Sequence, residues 1–195
     1  MPDWLDEPLA CFVERIADET PAPGGGSTAA VVIAMGAALV EMAARFSRAW
    51  EGAADATARA RGLRERALPL ARRDAEAYEA VLLAARGPEG GREAELRTAL
   101  GGASAVPLEL AELGSDVAAL AAAVVSSGKI GLRGDAAAGA VLAAAGARVA
   151  ASLVAINLAG SAGDERVDRA EAWAVAAARS AAAAERAAAR DGMKA

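Results

Sequence analysis

Apolar and small residues recur along this chain at intervals of three and four, the pattern of helices with a buried face. From about Asp6 to Glu19, the residues Leu5, Leu9, Phe12 and Ile16 form one stripe. Asp6 is placed to cap that segment and Pro8 to sit in its first turn. Cys11 lies beside the stripe and is read as packing. A second segment runs from Ser27 to about Trp50 with two apolar faces. One carries Val31, Met35, Ala38 and Met42; the other carries Val32, Gly36, Leu39, Ala43 and Phe46. A helix apolar on two sides is expected to be surrounded by others. A third segment, Ala54 to Arg86, carries Leu63, Ala67, Leu70, Ala77, Val81 and Ala84, with Pro69 predicted to kink or break it. Gly87 to Gly91 reads as a turn.

A fourth segment, Glu93 to Ser126, is interrupted by Pro107. The loop Ser126 to Asp135 follows. A fifth segment, Asp135 to Leu158, has a seam of Gly139, Ala143, Gly146, Ala150 and Leu153, continued by Asn157. A sixth, Asp164 to Arg190, carries Glu165 and Arg169 as an i,i+4 pair. β-branched residues do not alternate with polar ones over any useful length, so strands are not expected. The pattern predicts one all-α domain over residues 1–195: a bundle of about six mostly antiparallel helices joined by short loops. Its helices carry more apolar faces than a small monomer needs, so a homodimer is expected.

Composition narrows the chemistry. Hydrophobic residues make up 55% of the chain and aromatics 3%, with no histidine. Ser-His-Asp and Cys-His catalysis and the usual zinc sites are therefore excluded. Proton chemistry must use carboxylates, lysine, tyrosine or water. The net charge of −5 argues against nucleic acid as a partner. One cysteine rules out an intramolecular disulfide framework and fits a reducing compartment. The N-terminus shows no signal pattern, so a cytoplasmic location is expected. Residues 136–160 are nearly uncharged, but they are rich in alanine and glycine and hold Arg148 midway. They read as a core helix and not a membrane span.

Three places could carry chemistry. Thr20-Pro21-Ala22-Pro23-Gly24-Gly25-Gly26-Ser27 reads as a stop, a bare turn and a helix start with Ser27 as its cap. A helix N-terminus has unpaired N–H groups and a partial positive charge, and glycines let a ligand approach it; a simple turn before a close-packed helix is the other reading. Asp74 occupies the one break in an apolar seam. It either pairs with Arg72, Arg73 or a neighbouring helix, turns to water, or lines a cavity as an acid or base with a raised pKa. Tyr78 lies one turn later. In the third place, Lys129 and Arg133 are cations in a glycine-rich loop, able to hold an anionic tail or to remain solvated. Asp135 is placed to cap the fifth helix. Asn157, on a buried seam, needs a partner, a ligand or its own helix end.

With those residues placed, the chain resembles the cyclodeaminase / methenyltetrahydrofolate cyclohydrolase family over nearly its whole length. The likeness rests on Pro21-Ala22-Pro23-Gly24-Gly25-Gly26-Ser27, Met35-Gly36-Ala37-Ala38-Leu39 and Asp74-Ala75-Glu76-Ala77-Tyr78. Val106-Pro107-Leu108, Arg133-Gly134-Asp135 and Ile156-Asn157-Leu158 add to it. The resemblance implies an all-helical dimer acting on a folate, with Asp74 as the catalytic aspartate. It also implies that the Gly24–Ser27 turn and the Arg133/Asp135 loop line the folate site. The reaction expected is hydrolysis of 5,10-methenyltetrahydrofolate to the 10-formyl form, without metal or redox cofactor. The alternatives are release of ammonia from formiminotetrahydrofolate, or a folate-binding scaffold without turnover. Neither nucleic acid nor membrane is expected as a partner.

Overall fold

The structure, a computed structural model, describes residues 5–192. Those residues form eight α-helices: α1 Leu9–Ala17, α2 Gly25–Phe46, α3 Ala53–Ala67, α4 Leu70–Ala85, α5 Arg92–Ala103, α6 Ala105–Ser127, α7 Arg133–Asn157 and α8 Glu165–Gly192. A 3-10 turn at Ile130–Leu132 precedes α7, and no strand occurs among the described residues. The six expected segments are all helical, and two of them are each a pair of helices. The third breaks at Leu68–Pro69, where proline cannot donate to the helical ladder and the Ala71 N–H closes a tight turn on Leu68 O. The fourth breaks at Ser104, three residues before Pro107. Pro107 thereby falls in the first turn of α6, where a missing N–H costs nothing.

The core is built from α2, α6, α7 and α8, which pack closely because glycine and alanine line their contacts. α2 and α7 run antiparallel, with Ile33 against Gly146 and Gly36 against Gly139. A Cβ added to Gly36 would lie 2.7 Å from the Gly139 carbonyl oxygen, so the backbones meet where no side chain fits. Gly114 brings α6 against α7 in the same way, close to Ala143 and Ala147. Ile33, Val40, Leu110, Leu113, Val117, Val124 and Val154 are fully enclosed. α7, expected to be a buried core helix, packs on α2, α6 and α8 along one face and leaves the other exposed. Both α2 and the α7 stretch are long and apolar enough to cross a membrane by length and composition, and α2 is mostly buried inside the bundle. Arg148 of α7 pairs with Glu171 of α8 at 2.6 Å.

Two ion clusters fix outlying elements. Glu41 is buried and accepts from Arg61 Nε at 3.2 Å and Arg64 Nε at 3.1 Å, joining α2 to α3. Arg166, at the start of α8, is held by Asp164 and donates to Gly101 O and Ser104 Oγ, pinning the junction of α5 and α6. The N-terminal helix departs from its expected stripe. Phe12 is its buried residue, whereas Leu9 and Ile16 are exposed, because this short helix rests on the bundle through little more than one side chain.

Candidate functional site

The loop Thr20–Gly24 ends against α2, which begins at Gly25 and not at Ser27. Gly24 holds the cap position, and the Thr28 N–H closes the first turn on its carbonyl at 2.9 Å. Ser27 therefore lies inside the first turn and is fully buried. Its hydroxyl does not cap its own helix. It lies 2.8 Å from Ala71 O and 3.2 Å from Asp74 Oδ2, within donating reach of both. The Ser27 backbone N–H also donates to the Asp74 carboxylate. A group on α4 thus satisfies an orphan donor at the start of α2.

Asp74 is placed by its own helix. Leu70 and Val81, on the same face of α4, are buried, which turns the Asp74 side chain inward. The two arginines beside it pair elsewhere, Arg72 with Glu76 and Arg73 with Glu109. Burial raises the Asp74 pKa above the ordinary carboxylate value, and the two hydrogen bonds from Ser27 only partly offset it. Gly26 makes the approach possible, since a Cβ there would run into the carboxylate, 2.6 Å from Oδ2.

The Asp74 side chain faces a cavity of about 290 Å³ lined by Pro21, Ala22, Gly24, Gly25, Gly26, Ala75, Tyr78, Ala103, Pro107, Leu153 and Asn157. Of the residues singled out from the sequence, Gly24, Gly25, Gly26, Asp74, Tyr78 and Asn157 line this one space, and Ser27 lies directly behind Asp74. Among the described residues, Asp74 is the one charged residue of the lining. The wall offers a polar helix N-terminus, a phenol, an amide and a desolvated carboxyl, with an apolar floor of Ala103, Pro107 and Leu153. Of the floor residues, Leu153 belongs to the α7 seam that ends at Asn157 and Pro107 to the Val106-Pro107-Leu108 motif, whereas nothing in the local pattern marks Ala103; the ends of α5, α6 and α7 bring the three together.

Lys129, Arg133 and Asp135 lie elsewhere in the chain's fold. They sit at the start of α7, whereas Leu153 and Asn157 lie at its other end, roughly 30 Å away at the helical rise of 1.5 Å per residue. The Lys129 N–H donates to Ser47 Oγ at 2.8 Å, beside the C-terminus of α2. Arg133 reaches Ser126 O at 3.4 Å. Asp135 is not the cap of α7, which begins two residues earlier; it is an exposed carboxylate in the first turn, where it suits the helix dipole. Within one chain, these three residues do not reach the Asp74 cavity.

Comparison with known proteins identifies the assembly. A family model described as formiminotransferase-cyclodeaminase matches residues 8–176. The chain is 32% identical over 168 residues to a methenyltetrahydrofolate cyclohydrolase of Methylorubrum extorquens, covering 80% of this chain and 81% of that one. It is 37% identical over 121 residues to the formimidoyltransferase-cyclodeaminase of Sus scrofa, a match spanning 55% of this chain and 22% of the pig protein. The crystal structure of formiminotetrahydrofolate cyclodeaminase from Thermotoga maritima superimposes with a TM-score of 0.84 at 26% identity, covering 95% of this chain and 97% of that one. Fold, cavity and relatives define the class first: an all-helical enzyme. The chain belongs to the formiminotransferase-cyclodeaminase family.

Proposed function

We propose that this protein hydrolyses 5,10-methenyltetrahydrofolate to 10-formyltetrahydrofolate, with Asp74 as the proton carrier. The observation that carries the reading is the half-buried Asp74 carboxyl, its pKa raised by burial, set at the wall of a cavity beside the open N-terminus of α2. The methenyl carbon is an electrophilic amidinium, so water needs only to be positioned and deprotonated. Asp74 takes one proton from the attacking water as oxygen bonds to that carbon. It returns that proton to N5 as the C–N5 bond breaks, and the hydroxyl proton leaves to solvent as the formyl C=O forms. A carboxylate with a raised pKa is matched to both transfers near neutral pH. The N–H groups of Gly25 and Gly26 lie in the first turn of α2, where the helix leaves them without intrahelical partners, and they would orient a ligand oxygen at the cavity.

The likeness to the Methylorubrum cyclohydrolase over most of both chains supports hydrolysis. The structural likeness to the Thermotoga cyclodeaminase supports a second reading, in which the same carboxyl assists departure of ammonia from the formimino group during ring closure. One set of assays separates them. Loss of methenyl absorbance is followed with wild type and Asp74→Asn, and ammonia release is followed with formiminotetrahydrofolate. The hydrolase reading expects methenyl turnover that falls by about 10²–10⁴-fold in the variant. Ammonia release without methenyl turnover selects the deaminase reading. Folate binding without either reaction selects a scaffold and refutes both.

A further inference from the structure

Ser27 is fully enclosed at the back of the site and does not line the cavity. Whatever it does for a ligand in that space it does through Asp74. Its hydroxyl carries one proton and has two acceptors in reach, Ala71 O at 2.8 Å and Asp74 Oδ2 at 3.2 Å. One proton cannot make a full bond to both at once. The two acceptors differ in kind. Ala71 O is a neutral carbonyl whose strength as an acceptor is fixed. The Asp74 carboxyl changes its charge whenever it takes or gives a proton. When ionised it accepts a charge-assisted bond, roughly twice as strong as a neutral one, and it outcompetes the carbonyl. When protonated it loses that advantage, and the nearer carbonyl takes the hydroxyl proton. Oγ already lies within reach of both, so a turn about the Cβ–Oγ bond is enough and no heavy atom has to move.

The surroundings leave this exchange to Ser27. The first turn of α2 carries no charged side chain. α5 and α6 present Ala103 and Pro107 to the cavity, and α7 presents Leu153 and Asn157. Tyr78, on the same helix as Asp74, is the other titratable side chain of the described lining. Arg72 and Arg73 pair with Glu76 and Glu109. Burial and the two bonds from Ser27 therefore set the carboxyl's proton affinity, burial first. Of those two bonds, the backbone N–H is fixed by the helix, and the hydroxyl is the one that can turn.

We propose that the Ser27 hydroxyl is a proton-linked switch, turned to Asp74 Oδ2 while the carboxyl is ionised and to Ala71 O while the carboxyl holds its proton. Ser27 is then a positioning residue that acts through Asp74. It steadies the base before a proton is taken and lets go of the acid before that proton is returned, so a desolvated carboxyl works in both directions. Ser27 keeps its own proton throughout. The role in turnover rests on the hydrolase reading above; the switch itself does not.

Carbon-13 NMR reads the switch without any substrate. The Asp74 carboxyl carbon, assigned by its loss in Asp74→Asn, gives the midpoint of the titration. In wild type the Ala71 carbonyl carbon should titrate with the same midpoint, because it gains a hydrogen bond as Asp74 is protonated. A flat Ala71 signal overturns the proposal with no variant needed. In Ser27→Ala the Asp74 midpoint should rise by about one pH unit, the value of one lost bond to a charged group. The Ala71 response should disappear there although the carboxyl remains. Ser27→Cys fills the space with a weak donor and should follow Ser27→Ala. An unmoved midpoint in both variants, or an Ala71 signal that titrates as well without the hydroxyl, overturns the switch. In methenyl turnover the acid limb of kcat/KM should move up by the same amount in Ser27→Ala. A slower enzyme whose limb stays in place would leave Ser27 a packing residue and overturn its role in the reaction. If wild type turns over no methenyl substrate, the hydrolase reading falls, and the two carbon titrations still decide the switch.

Discussion

Gly26→Ala tests whether the position of one carboxyl governs activity. The added methyl would overlap the Asp74 carboxylate, Oδ1 being its nearest atom and Oδ2 standing at 2.6 Å, whereas ordinary contacts begin near 3.4 Å, so the carboxyl must retreat by more than an ångström. Retreat pulls it from Ser27, whose hydroxyl and N–H both hold it. Misplacing a reacting group by about 1 Å costs on the order of a hundredfold in rate. The stability cost should be small, because alanine is intrinsically better than glycine within a helix by about 0.5–1 kcal/mol, which offsets part of the local strain. The expected result is therefore a fall in kcat/KM for methenyl hydrolysis of on the order of a hundredfold, with the melting temperature little changed. Gly62→Ala is the contrast: a Cβ there meets nothing within 4 Å on α3, far from the cavity, and the variant should be slightly stabilised with its rate untouched. A Gly26→Ala enzyme that keeps near-wild-type kcat/KM while folded would refute the reasoning, since Asp74 would then act without its observed position.

Other expectations follow from the same geometry. The raised pKa of Asp74 means that the folded state holds its proton more tightly than the unfolded chain does. Its contribution to stability is complete below the unfolded carboxylate pKa and is lost as pH rises through the folded value. Asp74→Asn should consequently melt higher than wild type at pH 7, with the gap closing in acid; a lower melting temperature at pH 7 would contradict the burial argument. Asp164 behaves oppositely, its pKa lowered to about 2 first by the side-chain hydrogen bond from Arg166. Its stabilisation is present above the unfolded pKa and lost as pH falls through about 2, so Asp164→Asn should lower the melting temperature at pH 7 and approach wild type in strong acid. Glu41→Ala removes the acceptor shared by Arg61 and Arg64. Both arginines are partly solvated, so urea unfolding should show a loss of about 1–2 kcal/mol.

Much of this architecture is legible from residue spacing. Helix period, the proline break after Leu68 and the small-residue seam of α7 follow from local rules that each segment carries on its own. Asp74 stood out for the same reason, a polar residue at a seam position that its neighbours reserve for burial. Ser27 shows where local rules fail. A serine before an apolar run reads as a cap, but the helix starts two residues earlier. Gly26 allows α4 so close that the hydroxyl is claimed by a carboxyl 47 positions away in the chain. Stripe counting also misjudged α1, since a stripe states which residues can be buried and not whether a partner is there to bury them.

The sequence by itself determined the helices, the absence of histidine chemistry and the one carboxyl out of place, because these depend on residue type and short-range geometry. The tertiary structure decided which candidates share a cavity. Asn157 joins Asp74 because α7 runs antiparallel to α2 and ends where α2 begins. Lys129 and Arg133 are excluded from that cavity within one chain by the same rigid helix, whose length holds its two ends apart.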